Sequence, residues 1–339
     1  MSEKVTSLDV ARRAGVSQSA VSRVFTKGAS ASPETEKKVR KAADELGYRP
    51  NVLARSLVSG KTRIIGLVVA YLDNYFYPEA LEKLSNALQA EGYHVLVFMA
   101  GNDQENIDQV FQEILDYQVD GIIVASVALS SDLAARARNA GVPVVMFNRS
   151  QDGPDVTSIS SANFMGGLRV ANFMALHQPS RIGYIAGWEG ASTQRDREAG
   201  FVHQLEKHGR KIDRRTIGDF NSDRARDAAR AMFGRADYPD AVFVANDHMA
   251  FAVMDVIRFE LGLSVPNDVL VVGYDDVPPA AWAAYDLTTV RQPANRMVAA
   301  TVELLLSKIG GLEGAPKRIE IDGPLMIRGS APAPEGWTE

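Results

Sequence analysis

The chain contains no cysteine, which removes disulfides and thiolate metal sites and suits a reducing compartment. Histidine is scarce as well: His94, His177, His203, His208 and His248 are scattered without the spacing of a metal-ligand set. No apolar run reaches the roughly 18 residues that a bilayer span needs. The opening MSEKVTSLDV lacks a charged segment leading into an apolar one, so a cytoplasmic protein without a membrane partner is expected. Also missing are the phosphate loop G-x-x-x-x-G-K-[ST], a G-x-G-x-x-G after the first strand, a G-x-S-x-G elbow and H-E-x-x-H. Asp275 and Asp276 adjoin and point apart in an extended chain, which disfavours an acid–base pair. No catalytic residue, cofactor site or metal site is assigned, and an enzyme is not expected.

What the chain does have is an uneven distribution of charge. Its 339 residues, 46% hydrophobic and 23% charged, suggest two or three globular domains. The net charge of −5 hides an asymmetry: residues 1–62 carry 12 Lys and Arg against 6 Asp and Glu, leaving about −11 on the remainder. A basic head on an acidic body is the layout of a module that meets phosphate.

Within the head, Ser7 is placed to cap a first helix with Leu8, Val10, Ala11 and Ala14 on its apolar face, and Gly15 supplies a left-handed turn. Ser17 then caps a second helix whose Ala20, Val21 and Val24 face inward. Gln18, Ser19, Ser22 and Arg23 are left outward. A helix, a short Gly-containing turn and a second helix describe a helix-turn-helix, whose second helix offers its first side chains to the major groove. Gln and Arg can pair with base edges through two hydrogen bonds. A third helix follows from Ser32 and Pro33, with Val39, Ala42, Ala43 and Leu46 buried and Pro50 as its expected breaker. Asn51 can cap a short helix through Leu57 that carries Ala54 and Arg55, before Ser59 and Gly60 loosen the chain.

The residues Thr6–Asp9, VARRAGVSQSAVSRVF, SPETEKKVRKAADELGYRPN and ARSL resemble the LacI/GalR family of bacterial transcription regulators, and the likeness runs to about residue 330. The resemblance implies DNA contacts by Thr6, Ser7, Ser17, Gln18, Ser19, Ser22 and Arg23. It also implies a hinge helix over 51–59, folded only in the operator-bound dimer, with Asn51, Ala54 and Arg55 on DNA and Leu57 wedged into a central minor-groove step.

From Arg63 onward apolar runs alternate with helical patterns, the signal of parallel α/β units. Buried strands are expected at 64–70, 94–100, 121–126 and 143–148, then at 181–187, 241–246, 270–276 and 287–290. Two such sheets suit two lobes, with a ligand at the C-terminal ends of the strands. The residues at those ends are Phe76, Tyr77, Asn148, Arg149, Ser192, Thr193, Arg197, Phe220, Asn246, Asp247, Asp275 and Gln292. Amides, carboxylates and guanidinium groups can hold several hydroxyls, and an aromatic ring can cover a sugar face. Asp276 reads instead as a loop-capping acid. The family resemblance carries Arg197, Asn246, Asp247 and Asp275 over as effector ligands, and implies a periplasmic-binding-protein-like core crossed near 162, 292 and 322.

The expected fold is therefore α/β. It comprises a helix-turn-helix head (1–50), a hinge helix and linker (51–62), a two-lobe core with parallel sheets (63–330) and a flexible tail (331–339). Lobe 1 takes about 63–162 and 293–321, lobe 2 about 163–292 and 322–330. The expected function is a repressor that binds a pseudo-palindromic operator under the control of a sugar, sugar acid or related metabolite. A homodimer is expected rather than a tetramer, because GSAPAPEGWTE carries no apolar heptad. Two departures from the family stand out: Asn148 and Ala162 occupy positions where the family often has Asp. With Arg149, Arg195 and Arg197 nearby, these losses of acid favour a carboxylate- or phosphate-bearing ligand. Arg197→Ala is expected to abolish the effector response at unchanged melting temperature.

Overall fold

A computed structural model describes residues 5–25, 29–49, 61–101, 104–127, 131–151, 156–312 and 315–338. They divide into two units, 1–62 and 63–339.

The head consists of α1 (Ser7–Ala14), α2 (Gln18–Val24) and α3 (Pro33–Leu46) around Val10, Ala11, Val21, Val24, Val39, Ala42 and Ala43. Thr6, not Ser7, caps α1. Its Oγ1 accepts the Asp9 N–H, and the Asp9 carboxylate accepts the Thr6 N–H at 2.9 Å. This reciprocal capping box needs an acid three residues after the cap, which Thr6 has and Ser7 lacks. Gly15 ends α1 at φ 68°, a region open to glycine at little steric cost, while the Val16 N–H reaches back to the Ala11 carbonyl at 3.1 Å. Leu8 is 43% exposed; two residues before Val10, it lies about 200° around the helix from the buried stripe. Ser17 and Ser32 cap α2 and α3 as expected. The stop of α3 is the left-handed Gly47 rather than Pro50, with the Tyr48 N–H on the Ala43 carbonyl at 2.8 Å.

The second unit contains two six-stranded sheets. The first has the order β11-β5-β4-β3-β1-β2, all parallel: β1 (Ile64–Val69), β2 (His94–Met99), β3 (Gly121–Ala125), β4 (Val144–Phe147), β5 (Thr157–Ser161) and β11 (Arg318–Ile321). The second runs β12-β10-β9-β8-β6-β7: β6 (Ile182–Ala186), β7 (Arg214–Ile217), β8 (Ala241–Val244), β9 (Leu270–Asp275), β10 (Thr288–Arg291) and β12 (Leu325–Met326). Only β12 is antiparallel to its neighbour. Continuous apolar runs such as IIGLVV and AVFV are what strands covered on both faces require.

Flanking helices are α4 (Phe76–Ala90), α5 (Gln104–Asp116), α6 (Ser131–Asn139) and α11 (Ala294–Ile309) with the first sheet. Those of the second are α7 (Asn163–Leu176), α8 (Ser192–Lys207), α9 (Ser222–Phe233) and α10 (Asp247–Asp255). The chain leaves the first sheet after β5, returns after β10 and leaves again after β11. Helices α7 and α8 cross at near backbone contact. A Cβ on Gly167 would stand 2.0 Å from the Arg197 carbonyl oxygen, and one on Gly200 the same distance from that of Phe164.

Three expectations are corrected. Strand β2 is not buried: it forms the sheet edge, with Val97 and Met99 half exposed. Strands β5, β7, β11 and β12 are not expected from the sequence because TSISS, RRTI, RIEI and LM are polar or very short, although Ile159, Ile321 and Leu325 among them reach the core. The tail is not loose. Ala331 is fully buried and bridged to Arg328, and the Trp337 ring packs edge-on against Phe173 at 5.1 Å. Among the described residues no helix is long and apolar enough to cross a membrane.

Candidate functional site

On the head, Ser17, Gln18, Ser19, Ser22 and Arg23 are exposed along the first turns of α2. The Gln18 amide donates to Ser7 Oγ at 2.9 Å, and the Ser17 and Ser19 hydroxyls lie 2.9 Å apart. Ser7, freed of the capping role, thus orients Gln18. Thr6 is committed to its cap. Asn51, Ala54, Arg55 and Leu57 lie outside the described residues.

In the second unit the strand ends assemble a buried polar cluster. On the second-sheet side its centre is Arg197, 2% exposed on α8. Its Nε donates to Asn163 Oδ1 at 2.9 Å, Nη1 to the Ala245 carbonyl at 2.6 Å and Nη2 to Asp275 Oδ1 at 3.4 Å. The guanidinium also lies over the Tyr274 ring, 3.7 Å from its centroid. The same Asp275 oxygen accepts Gln292 Nε2 at 2.6 Å. Burial raises the Asp275 pKa, opposed mainly by the Arg197 charge and by hydrogen bonds from Gln292 and Asn74. Asp196 and Glu198, the other candidate partners of Arg197, are engaged elsewhere: Asp196 with Arg195 and Arg318, Glu198 with Arg215.

On the first-sheet side stand Asn148, in the left-handed region at φ 55°, and Arg149, both buried. Arg149 Nη1 donates to Thr193 Oγ1 at 2.5 Å and Nη2 to the Tyr71 hydroxyl at 3.4 Å. The Phe220 ring sits 5.7 Å from the guanidinium carbon, and Tyr77 meets Tyr71 edge-on. The Ser150 N–H donates to Ser192 Oγ at 2.9 Å. Asn148 and Arg149 follow β4 whereas Ser192, Thr193 and Phe220 belong to the second-sheet half, so these contacts join the lobes. His248 and Asp73 add a further contact at 3.6 Å.

Not every assigned residue joins the cluster as a candidate ligand. Phe76 is a core residue, its ring stacked on Phe147 at 6.2 Å. Asp247 is fully buried with both oxygens occupied: Oδ1 by the Thr289 hydroxyl at 2.6 Å and Oδ2 by the Val277 N–H at 3.0 Å. Burial first, and then the neighbouring Asp275 charge, push its pKa up to about 8. It braces β10 and the turn after β9. Arg195 is half exposed and pairs with Asp196, outside the cluster. Asp276, read from the sequence as a loop-capping acid, accepts instead from two arginine side chains, Arg291 and Arg328, at 2.6 Å each. Tyr71, Asn74, Asn163 and Tyr274 were missed. Asn74 lies in the loop after β1 and Asn163 opens the helix that follows β5, amides near strand ends that charge alone does not single out.

Eight buried side-chain atoms lack a hydrogen-bond partner among the described residues, and four of them belong to this set: Asn148 Oδ1, Arg149 Nε, Asn246 Nδ2 and Gln292 Oε1. Buried polar atoms are normally satisfied, so their concentration at the strand ends marks a place built for polar contacts. Two open hollows, of about 370 and 350 Å³, lie elsewhere: one between α7 and Trp337, the other beside Leu72, Leu81 and Val97. Neither gathers comparable chemistry. Among the described residues no group of three His, Asp or Glu could hold a metal ion.

Residues 6–51 match the bacterial regulatory proteins of the lacI family, and residues 173–331 match a periplasmic binding protein-like domain. The HTH-type transcriptional repressor PurR of Photobacterium profundum is 30% identical over 325 residues, covering 95% of this chain and 97% of PurR. A transcriptional regulator CelR–cellobiose complex matches with a TM-score of 0.73 at 31% identity, over 96% of this chain and 100% of the other. The lac repressor dimer bound to operator and the anti-inducer ONPF matches with a TM-score of 0.87 at 28% identity, over 98% and 100%. The helix-turn-helix head, the two parallel-dominated sheets and these likenesses agree: the chain belongs to the lacI family of bacterial regulatory proteins, and it is a DNA-binding transcriptional repressor rather than an enzyme.

Proposed function

We propose that this repressor binds a pseudo-palindromic operator as a homodimer through Gln18, Ser19 and Arg23, and that a small polar effector held between the lobes sets its affinity. The observation that carries the effector half is the set of unpartnered buried atoms at the strand ends, next to contacts that join the lobes. A sugar, a sugar acid or a related metabolite suits that donor and acceptor set. Arg197, Asp275, Arg149, Asn148, Asn246 and Gln292 are its proposed ligands, with Phe220 as the apolar wall and Ser192, Thr193 and Tyr77 at the margin. The ligand acts by favouring one arrangement of the lobes over another, and shifts that equilibrium by its differential affinity for the two. Residues 51–59 are proposed to complete the reading head, with Asn51, Ala54 and Arg55 on DNA and Leu57 as the minor-groove wedge. A palindromic site calls for two heads. Exposed apolar side chains at Leu72, Tyr75, Val97 and Met99, and at Phe259 and Trp282, offer surface for pairing two cores.

The test is fluorescence anisotropy of the full chain on the duplex upstream of its own gene, at fixed salt, with and without a small-metabolite extract. Expected are tight binding to a pseudo-palindrome against a shuffled duplex, and a change of affinity in either direction with extract. Equal affinity for the shuffled duplex sinks the operator assignment, and indifference to extract sinks the effector assignment.

A further inference from the structure

The two buried arginines of the cluster differ in how their charge is answered. Arg197 faces Asp275. Arg149, 4% exposed, touches the Thr193 and Tyr71 hydroxyls and the Asn148 carbonyl, and among the described residues it forms no ion pair. Its Nε–H has no acceptor. Asp275 is hydrogen-bonded to Arg197 and Gln292, and its charge also reaches Arg149, so one carboxylate answers two guanidinium groups; Asp247 is held by Thr289 and Val277, Asp73 faces His248 and Asp276 pairs with Arg291 and Arg328. The side chain placed to supply a local counter-charge is Asn148, a neutral amide whose Oδ1 is also unpartnered.

Burying two guanidinium groups against a single shared carboxylate is costly, and that cost is relieved when an anion arrives. Nε–H lies on the same edge of the planar fork as Nη2, and such an edge suits the two oxygens of one anionic group. Phe220, packed against the guanidinium at 5.7 Å, lowers the local polarity and strengthens the attraction.

Building on the effector reading above, we infer that the effector is an anion, a polar metabolite whose carboxylate or phosphate seats on Arg149, with Asn148, Asn246 and Gln292 taking its neutral polar groups. Arg149 then senses the ligand and ties it to the second lobe, since the same guanidinium donates to Thr193.

The test uses the full chain and matched probes: glucose, gluconate and glucose 6-phosphate, then ribose, ribonate and ribose 5-phosphate, by calorimetric titration. Thermal unfolding in acetate or inorganic phosphate, against chloride at equal ionic strength, adds two small-anion probes. An acid of at least one series should bind about tenfold or more tighter than its neutral parent, as expected for charge-assisted bonds. The gluconate and phosphate arms separate the two anion types. Asn148→Asp puts a carboxylate beside Arg149 on a left-handed backbone that Asp tolerates, and should erase the preference while leaving the protein folded. A neutral sugar bound as tightly as its acids overturns the inference and leaves the effector reading intact. So does a protein that acetate and phosphate protect no more than chloride does, with Asn148→Asp indistinguishable from the parent. Failure of the effector reading itself shows separately, as operator affinity indifferent to metabolite extract.

Discussion

In the head, Gln18, Ser19, Ser22 and Arg23 stand exposed on a helix whose fold is carried by Val10, Val21, Val39 and three end caps. In the core, Asn163, Arg197 and Asp275 are each less than 5% exposed, and they hold one another as well as the strand ends. The first arrangement separates recognition from stability, because an exposed side chain can change without disturbing the caps beneath it. The second merges them. A group proposed to meet a ligand from inside a buried cluster is also a structural member, and its removal strands its partners.

The sharpest break in this comparison comes at Arg197. Truncation to Ala leaves Asp275 buried without its cation, and Asn163 Oδ1 and the Ala245 carbonyl without their donor. Removing one partner of a buried pair costs about 3–5 kcal/mol. The expectation of an unchanged melting temperature therefore gives way: Arg197→Ala should lose effector affinity and stability together. Denaturant unfolding of the full chain checks this. A loss below about 1 kcal/mol would show that the cluster relaxes around the gap and that the two regions differ less than their burial suggests.

The same contrast explains what could be read from the sequence. Caps, a Gly turn and apolar spacing are local signals, so the three helices of the head were legible almost to the residue; the slips, Ser7 for Thr6, Leu8 on the apolar face and Pro50 for Gly47, each concern a single position near a helix end. The apolar strands were legible from runs such as IIGLVV. Polar β5 and β11 were not, because their place between neighbours is set by tertiary pairing that no local pattern encodes. In the site, position after a strand found Arg197, Asp275 and Arg149. It could not tell that Asp247 turns both oxygens inward, that Phe76 fills the core, or that Asn163 and Tyr274 wrap the arginine, since those depend on how α7 and α8 cross.

Arg23 is the opposite case to Arg197. It is exposed on α2, and Arg23→Ala should cost about 1–3 kcal/mol of operator binding if it pairs with a base edge. Unfolding stability should stay within about 0.5 kcal/mol, as for surface sites. Binding to single-base operator variants at fixed salt is the measurement. A uniform loss across all variants would reassign Arg23 to phosphate, and an unchanged affinity would remove it from the interface.

The smallest effect distinguishes neighbours within the head. Thr6→Ala removes an N-cap, and such losses typically cost about 1 kcal/mol; amide hydrogen exchange along α1 in the full chain should report it. The Thr6 side-chain hydrogen bond is the largest cause of the lowered Asp9 pKa, followed by the Thr6 backbone N–H. A carboxyl with a lowered pKa contributes stability that is present above its ordinary pKa and lost as pH falls through the folded value. Protection of α1 should therefore weaken in acid, and Thr6→Ala should show a smaller acid loss, because only the backbone bond and the Arg12 charge remain to favour the carboxylate. Ser7→Ala should leave that protection and its pH dependence unchanged, since Ser7 does not cap the helix. It should instead loosen Gln18, whose amide donates to Ser7 Oγ, and, where Gln18 meets a base as proposed, broaden base preference at that position. If Ser7→Ala weakened α1 as much as Thr6→Ala, the division of labour between fold and reading within this first turn would fail.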